Sequence, residues 1–199
     1  MALDLTPITE LDAVNAMLEM MGSAPISSLP TSGVSEAYIA RNILHRISRE
    51  IQGKGLTFNT DRRYTMSPDI NGFIVTPSNT LRMDPTYDSD LFVQRFDVAD
   101  SKMKLYNPTE HTFIFTKEVL MDIVWFFEWE GVPDHARNYI YVRAARHFEK
   151  KFQTSETVFK LGEEDEIRAS AEFWSAEYRV SDDTILASPG AFQAANRRV

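Results

Sequence analysis

Cysteine is absent from this 199-residue chain, which excludes disulfides, thiolate metal sites and a cysteine nucleophile. Long apolar runs are absent too. No stretch approaches the ~20 continuous apolar residues that cross a bilayer. The opening Met-Ala-Leu-Asp-Leu-Thr-Pro has neither the basic start nor the apolar core of a signal peptide. A soluble protein made in a cytoplasm, without a membrane partner, is the expectation. Positive charge is in deficit: 21 Lys and Arg stand against 29 Asp and Glu, a formal net charge of −8. Free nucleic acid is therefore a poor ligand for the whole molecule.

Catalytic signatures are also missing. There is no Gly-x-Ser-x-Gly elbow, and neither Gly33 nor Gly53-Lys54-Gly55 builds a phosphate loop. Gly53-Lys54-Gly55 follows a predicted helix C-terminus, the wrong end for capturing an anion. His45, His111, His135 and His147 fall on different elements, none with a second ligand at helical metal spacing. No metal and no cofactor is expected.

What the chain does contain is helical periodicity. Thr9 as N-cap, Asp12 after it and Gly22 as stop predict a first helix with Leu11, Val14, Leu18 and Met21 on its apolar face. A loop with Pro25, Pro30 and Gly33 leads to a second helix from Ser35 to about Gln52, where Ile39, Ile43, Ile47 and Ile51 recur every fourth residue. Pro133 opens a third helix to about Phe152, with the seam Ala136, Ile140, Ala144, Phe148 and Phe152. A fourth runs from about Glu156 to Arg179, with Ile167, Ala171, Trp174 and Tyr178 on one face. Gly162 weakens it by up to ~1 kcal/mol.

The middle has a different character. Between interruptions at Pro68, Pro77, Pro85 and Pro108, the β-prone runs are 73–75, 91–93, 103–106 and 113–115, with a turn over 100–102. Residues 119–125 read as a strand or a helix. The fold class is thus α+β: a bundle of about four helices, a small inserted antiparallel β domain and an extended C-terminal arm. The divisions are 1–55, a first helix pair; 56–128, the β-rich insertion; 129–180, a second helix pair; and 181–199, the arm.

Three sets of residues are candidates for function. Arg137, Arg143 and Arg146 on the third helix face an acidic run, Glu163, Glu164, Asp165 and Glu166, on the fourth, a pairing that serves within or between subunits. Ile185, Leu186 and Phe192 are apolar residues spaced along the arm, as a partner groove receives them. Glu128 and Glu130 lie among Trp125, Phe126, Phe127 and Trp129. Two acids beside aromatic platforms suit glycan hydrolysis, which needs carboxyls ~5 Å or ~6.5–9.5 Å apart. The same residues also fit a strand end packed on the core with the Glu side chains exposed, and that is the preferred reading.

Three further segments carry a family resemblance. They are Leu11-Asp12-Ala13-Val14-Asn15 through Met21-Gly22-Ser23-Ala24-Pro25-Ile26; Ala40-Arg41-Asn42-Ile43-Leu44 leading to Arg49-Glu50-Ile51-Gln52-Gly53-Lys54-Gly55-Leu56-Thr57-Phe58-Asn59; and Val132-Pro133 followed by Tyr139-Ile140 and Ala144-Ala145-Arg146-His147-Phe148. In that order and spacing, over about 9–180, the chain resembles the tail tubular protein A family, the head-to-tail adaptors of short-tailed phages. One departure is Leu56, where relatives often carry tryptophan; leucine keeps a large apolar group there.

The resemblance implies a structural virion protein. It would form a ring of about twelve copies between the portal and a nozzle like tail tubular protein B, with genomic DNA passing through the lumen without sequence-specific binding. An acidic lumen would repel phosphates and favour sliding. It also implies that the β insertion reaches toward a neighbouring ring. A tail-associated glycan hydrolase is the alternative.

Overall fold

The structure is a computed structural model and describes residues 8–87, 91–152 and 156–187, without side-chain detail for 156–162 and 181–187. The chain forms two compact units. One comprises Met1–Ile51 with Glu128–Val199, and the other Gln52–Phe127.

The helical unit contains α1 (Glu10–Met20), α2 (Glu36–Gln52), α3 (Asp134–Phe152) and α4 (Glu156–Ala187). Thr9 and Asp12 close a reciprocal capping box at the start of α1. At its end Gly22 adopts φ +71°, and the N–H groups of Gly22 and Ser23 reach back to the Glu19 and Leu18 carbonyls. That is the left-handed turn for which glycine has no steric cost. The Asn15 amide bonds the backbone of Ile26 in both directions, at 3.0 and 2.8 Å, and so pins the following loop. Glu10 ties α1 to α2 through Arg41 and His45, both at 2.7 Å. Burial alone would raise the Glu10 carboxyl, but these two partners outweigh it and hold it below the usual range.

Ala40, Leu44, Ile47 and Ile51 of α2 are fully buried, as are Ala136, Ile140, Ala144 and Phe148 of α3. Alpha-four departs from expectation twice. It continues to Ala187, so Ile185 and Leu186 lie in helix and not in an extended arm; Phe192 lies outside the described residues. Its buried line is Ala169, Phe173 and Glu177, whereas Ile167 and Tyr178 are each 64% exposed. Shape is the reason. Phe173 stacks on Tyr139 of α3 at 4.9 Å, and seating that ring rotates the apolar stripe outward.

The β-rich unit holds β1 (Thr60–Met66), β2 (Thr80–Pro85), β3 (Val93–Asp97), β4 (Lys102–Tyr106) and β5 (Val119–Trp125). The first sheet has the order β1-β5-β2, and β3 pairs with β4; both are antiparallel. Beta-five is central, so 119–125 is a strand. Its Met121 and Ile123 are fully buried beside Met66, Ile74, Met83, Leu105 and Phe115.

The apolar runs 73–75 and 113–115 contribute only isolated bridges, Phe73 to Ile114 and Val75 to Lys104. Of 91–93, only Val93 joins a strand. The flanking ladder is built instead from the polar β1 and β2. A strand beside β5 needs few buried side chains to share its backbone hydrogen bonds, and β1 buries only Met66. The β3–β4 turn centres just before the expected position, with Ser101 at φ 56°. Lys104, 2% exposed, anchors this hairpin to Asp97 at 2.9 Å and Asp100 at 2.7 Å, and its ammonium sits 3.7 Å from the Phe73 ring centre.

Candidate functional site

The second resemblance segment closes the base of the β-rich unit. Gln52 and Phe127 are the unit's first and last residues. The Gln52 amide donates to the Phe127 carbonyl at 2.9 Å and accepts from its N–H at 2.8 Å. Asn59, 1% exposed, accepts from the Leu56 N–H at 2.8 Å and donates to the carbonyls of Gln52 at 2.9 Å and Trp125 at 2.6 Å. The Gln52 and Asn59 side chains, both buried, thereby have their polar atoms satisfied. Gly55 turns the chain at φ +75°, and a Cβ there would lie 3.2 Å from both Arg82 Nη2 and Val124 Cγ2. Leu56 is 3% exposed, so the leucine fills its apolar place. This clasp escaped residue-by-residue reading; two amides flanking a Gly-Lys-Gly turn are its only sequence signal.

The charged faces of α3 and α4 meet within one chain. Arg146 pairs with Glu166 at 3.2 Å and Glu163 at 3.6 Å; Arg143 pairs with Glu50 at 2.7 Å and Glu166 at 3.4 Å. Arg143, Arg146, Glu163 and Glu166 line, with Tyr139, Ile167, Ser170 and Ala171, a cleft of about 480 Å³. Asp165 contacts its helix neighbour Arg168 at 3.8 Å, and Glu164 is exposed. Arg137 joins none of these acids. Its guanidinium donates to the backbone carbonyls of Val132, Glu130 and Ile8 at 2.7, 2.7 and 3.2 Å, and so folds the approach to α3.

A second concavity, about 270 Å³, lies between α1, α3 and α4 on the other flank of α4. Met20, Tyr141, Val142, Ala145 and Ala169 line it, with Glu149 and Glu172 among its polar groups. Glu149 is 2% exposed. Burial pushes its carboxyl up, and Arg146 opposes this only in part. A raised folded value favours the neutral acid. The resulting stability is complete below the ordinary value of 4.5 and is lost as pH rises through the folded value. Glu149→Gln, neutral throughout, should therefore gain melting temperature relative to the parent between pH 4 and pH 8. Thermal melts across that range check it, and a difference that stays flat or shrinks with pH contradicts it.

Glu128 and Glu130 are both exposed, but Trp129 between them is 4% exposed. Its indole N–H donates to the Ile8 carbonyl at 2.9 Å. A ring held in the core offers no stacking surface to a sugar, so Trp129 drops out of that set of aromatic platforms, while Trp125, Phe126 and Phe127 are half-buried. Among the described residues, no group of three or more His, Cys, Asp or Glu is placed to hold a metal ion, and no helix is long and apolar enough to cross a membrane.

Comparison with known proteins supplies the remaining finding. The family described as Tube: Tail tubular protein matches residues 11–182, a span that includes both the clasp and the α3–α4 pair. Tail tubular protein A of Klebsiella phage KP34 is 33% identical over 132 residues, covering 66% of this chain and 66% of that protein. The alignment therefore spans just under two thirds of the relative's length.

Proposed function

The chain belongs to the tail tubular protein family, and on that premise we propose that it is a structural, non-enzymatic component of a phage tail. More specifically, it acts as a head-to-tail adaptor. Copies close into a ring of about twelve that joins a portal to a tail nozzle and surrounds the path of the genome. The supporting observation is that the match to residues 11–182 runs through both compact units, so neither is foreign to the family.

The geometry suits an assembly role. The clasp makes the β-rich unit a preformed body, and the helical unit carries concavities on both flanks of α4. A chain acidic overall, at −8, would let DNA phosphates slide past instead of adhering.

Native mass measurement of the purified chain, alone and with its portal, tests the reading. The expected result is a species near twelve times 22.8 kDa in one of the two conditions. A monomer in both ends the adaptor reading.

A further inference from the structure

Residues 1–7, outside the described residues, carry a pattern that none of the elements above uses. Met1-Ala2-Leu3-Asp4-Leu5-Thr6-Pro7 places large apolar side chains at 1, 3 and 5 and small or polar ones at 2, 4 and 6. That period of two belongs to an extended chain with one apolar edge. Pro7 reinforces it, because the residue before a proline is pushed out of the helical region. The segment also leads into a fixed point. The Ile8 carbonyl accepts from the Trp129 indole N–H at 2.9 Å and from the Arg137 guanidinium at 3.2 Å.

The groove of about 270 Å³ between α1, α3 and α4 belongs to the same compact unit as Ile8. Its α3 wall begins at Asn138, next to Arg137, and runs through Tyr141, Val142 and Ala145 to Glu149. At 1.5 Å per residue, the rise from Arg137 to Glu149 is ~18 Å. Seven extended residues span ~23 Å, so the segment is long enough for the whole groove. Apolar surface lies open there: Met20 is 41% exposed, and Tyr141 and Val142 are half-buried beside a floor of Ala145 and Ala169. The volume falls below the ~300–1,000 Å³ of small-molecule sites and suits a few aliphatic side chains.

We propose that residues 1–7 lie in this groove of their own chain as an extended strap, with Leu3 and Leu5 on its apolar floor. Side chains alternate along an extended segment, so Asp4 then points to the rim. Arg168 stands on that rim, 71% exposed, and its ion pair with Asp165 is 3.8 Å long. An exposed pair of that length holds little, and Asp4 supplies a second carboxylate. The occupant is the chain's own segment because its tether at Ile8 presents it at an effective concentration on the order of millimolar, above that of a second copy in dilute solution. The strap covers the groove in the unassembled chain, and any partner that uses the groove must first displace it. The inference concerns that unassembled chain and stands apart from the adaptor reading.

The absence of native cysteine makes the test direct. In the full chain, Leu3→Cys/Val142→Cys treated with a short thiol cross-linker should link within one molecule, with the mass staying near 22.8 kDa and the mobility on a denaturing gel shifted. Leu3→Cys/Ser170→Cys, whose second thiol lies in the cleft on the other flank of α4, should stay unlinked. Alkylation of Val142→Cys alone should become on the order of ten-fold faster when Leu3 and Leu5 are both changed to Asp. Asp4→Arg should also speed it, and adding Arg168→Glu should slow it again.

A linked product of twice that mass overturns the strap in favour of a segment exchanged between copies. Absence of a link at Val142, or equal linking at Val142 and Ser170, overturns it too, as does an alkylation rate indifferent to the leucines. Should Val142→Cys lose the parental circular dichroism, Met20→Cys on the α1 side of the groove takes its place in both measurements.

Discussion

Asn59→Leu is expected to unfold the β-rich unit. The substitution keeps the apolar volume but removes three hydrogen bonds at a residue 1% exposed. It orphans the buried Leu56 N–H and removes a bond from the half-buried Trp125 carbonyl and from the Gln52 carbonyl, which still accepts from the Gly55 N–H at 3.1 Å. A buried polar group left without its partner costs roughly 1–3 kcal/mol and a lost hydrogen bond about 1 kcal/mol, so one orphaned donor and two lost bonds together cost roughly 3 kcal/mol. The whole margin of a folded domain is only about 5–15 kcal/mol.

Hydrogen exchange at the β5 amides is the suitable readout, because it reports on this unit alone. Protection there should collapse, while that of α2 and α3 falls much less. Asn59→Asp, which retains the acceptor for the Leu56 N–H and loses both donors, should fall between parent and leucine variant. Unchanged β5 protection in Asn59→Leu would show that the hydrophobic core, and not the clasp, closes the unit.

Phe148→Ala should produce the largest loss in the helical unit. Phe148 is fully buried, and its ring centre lies 4.8 Å from that of Phe152. Truncating a buried phenylalanine removes its transfer free energy and leaves a cavity, which together cost about 3–5 kcal/mol. At ~2–4 °C per kcal/mol for a chain of this size, the melting temperature should fall by about 6–20 °C. Ile167→Ser is the internal control. That side chain is 64% exposed, and surface changes usually remain within ~0.5 kcal/mol. Scanning calorimetry of the unassembled chain separates the two, since assembly would itself stabilise the folded form. A Phe148→Ala shift no larger than that of Ile167→Ser would contradict the packing described here.

All four helices were legible in the chain because their signals are local. Thr9, Asp12 and Gly22 mark the ends of α1 through hydrogen bonds within a turn, and Pro133 marks the approach to α3. The β-rich unit was legible in class but not in its strands. Phe73-Ile74-Val75 and Phe113-Ile114-Phe115 look like strands because they are apolar and β-branched, yet they pack against the core largely outside the ladders. Thr60–Met66 and Thr80–Pro85 look unlike strands and form them, because β5 supplies the partner backbone. Among the candidate residues, Arg143 and Arg146 do meet Glu163 and Glu166. Arg137 turns to backbone carbonyls instead, a choice that charge spacing cannot reveal.

The sequence by itself determined the helices and their order, the apolar seams of α2 and α3, the α+β class and the family. Each follows from neighbours a few residues apart or from the order of short segments. Tertiary structure alone decided which side of α4 is buried, since the stacking of Phe173 on Tyr139 at 4.9 Å turns Ile167 and Tyr178 outward. It also decided that Gln52, Asn59 and Phe127 form one clasp. Residues separated by 75 positions come together only when a complete unit folds between them, and no local pattern records which distant backbone group a buried amide will meet.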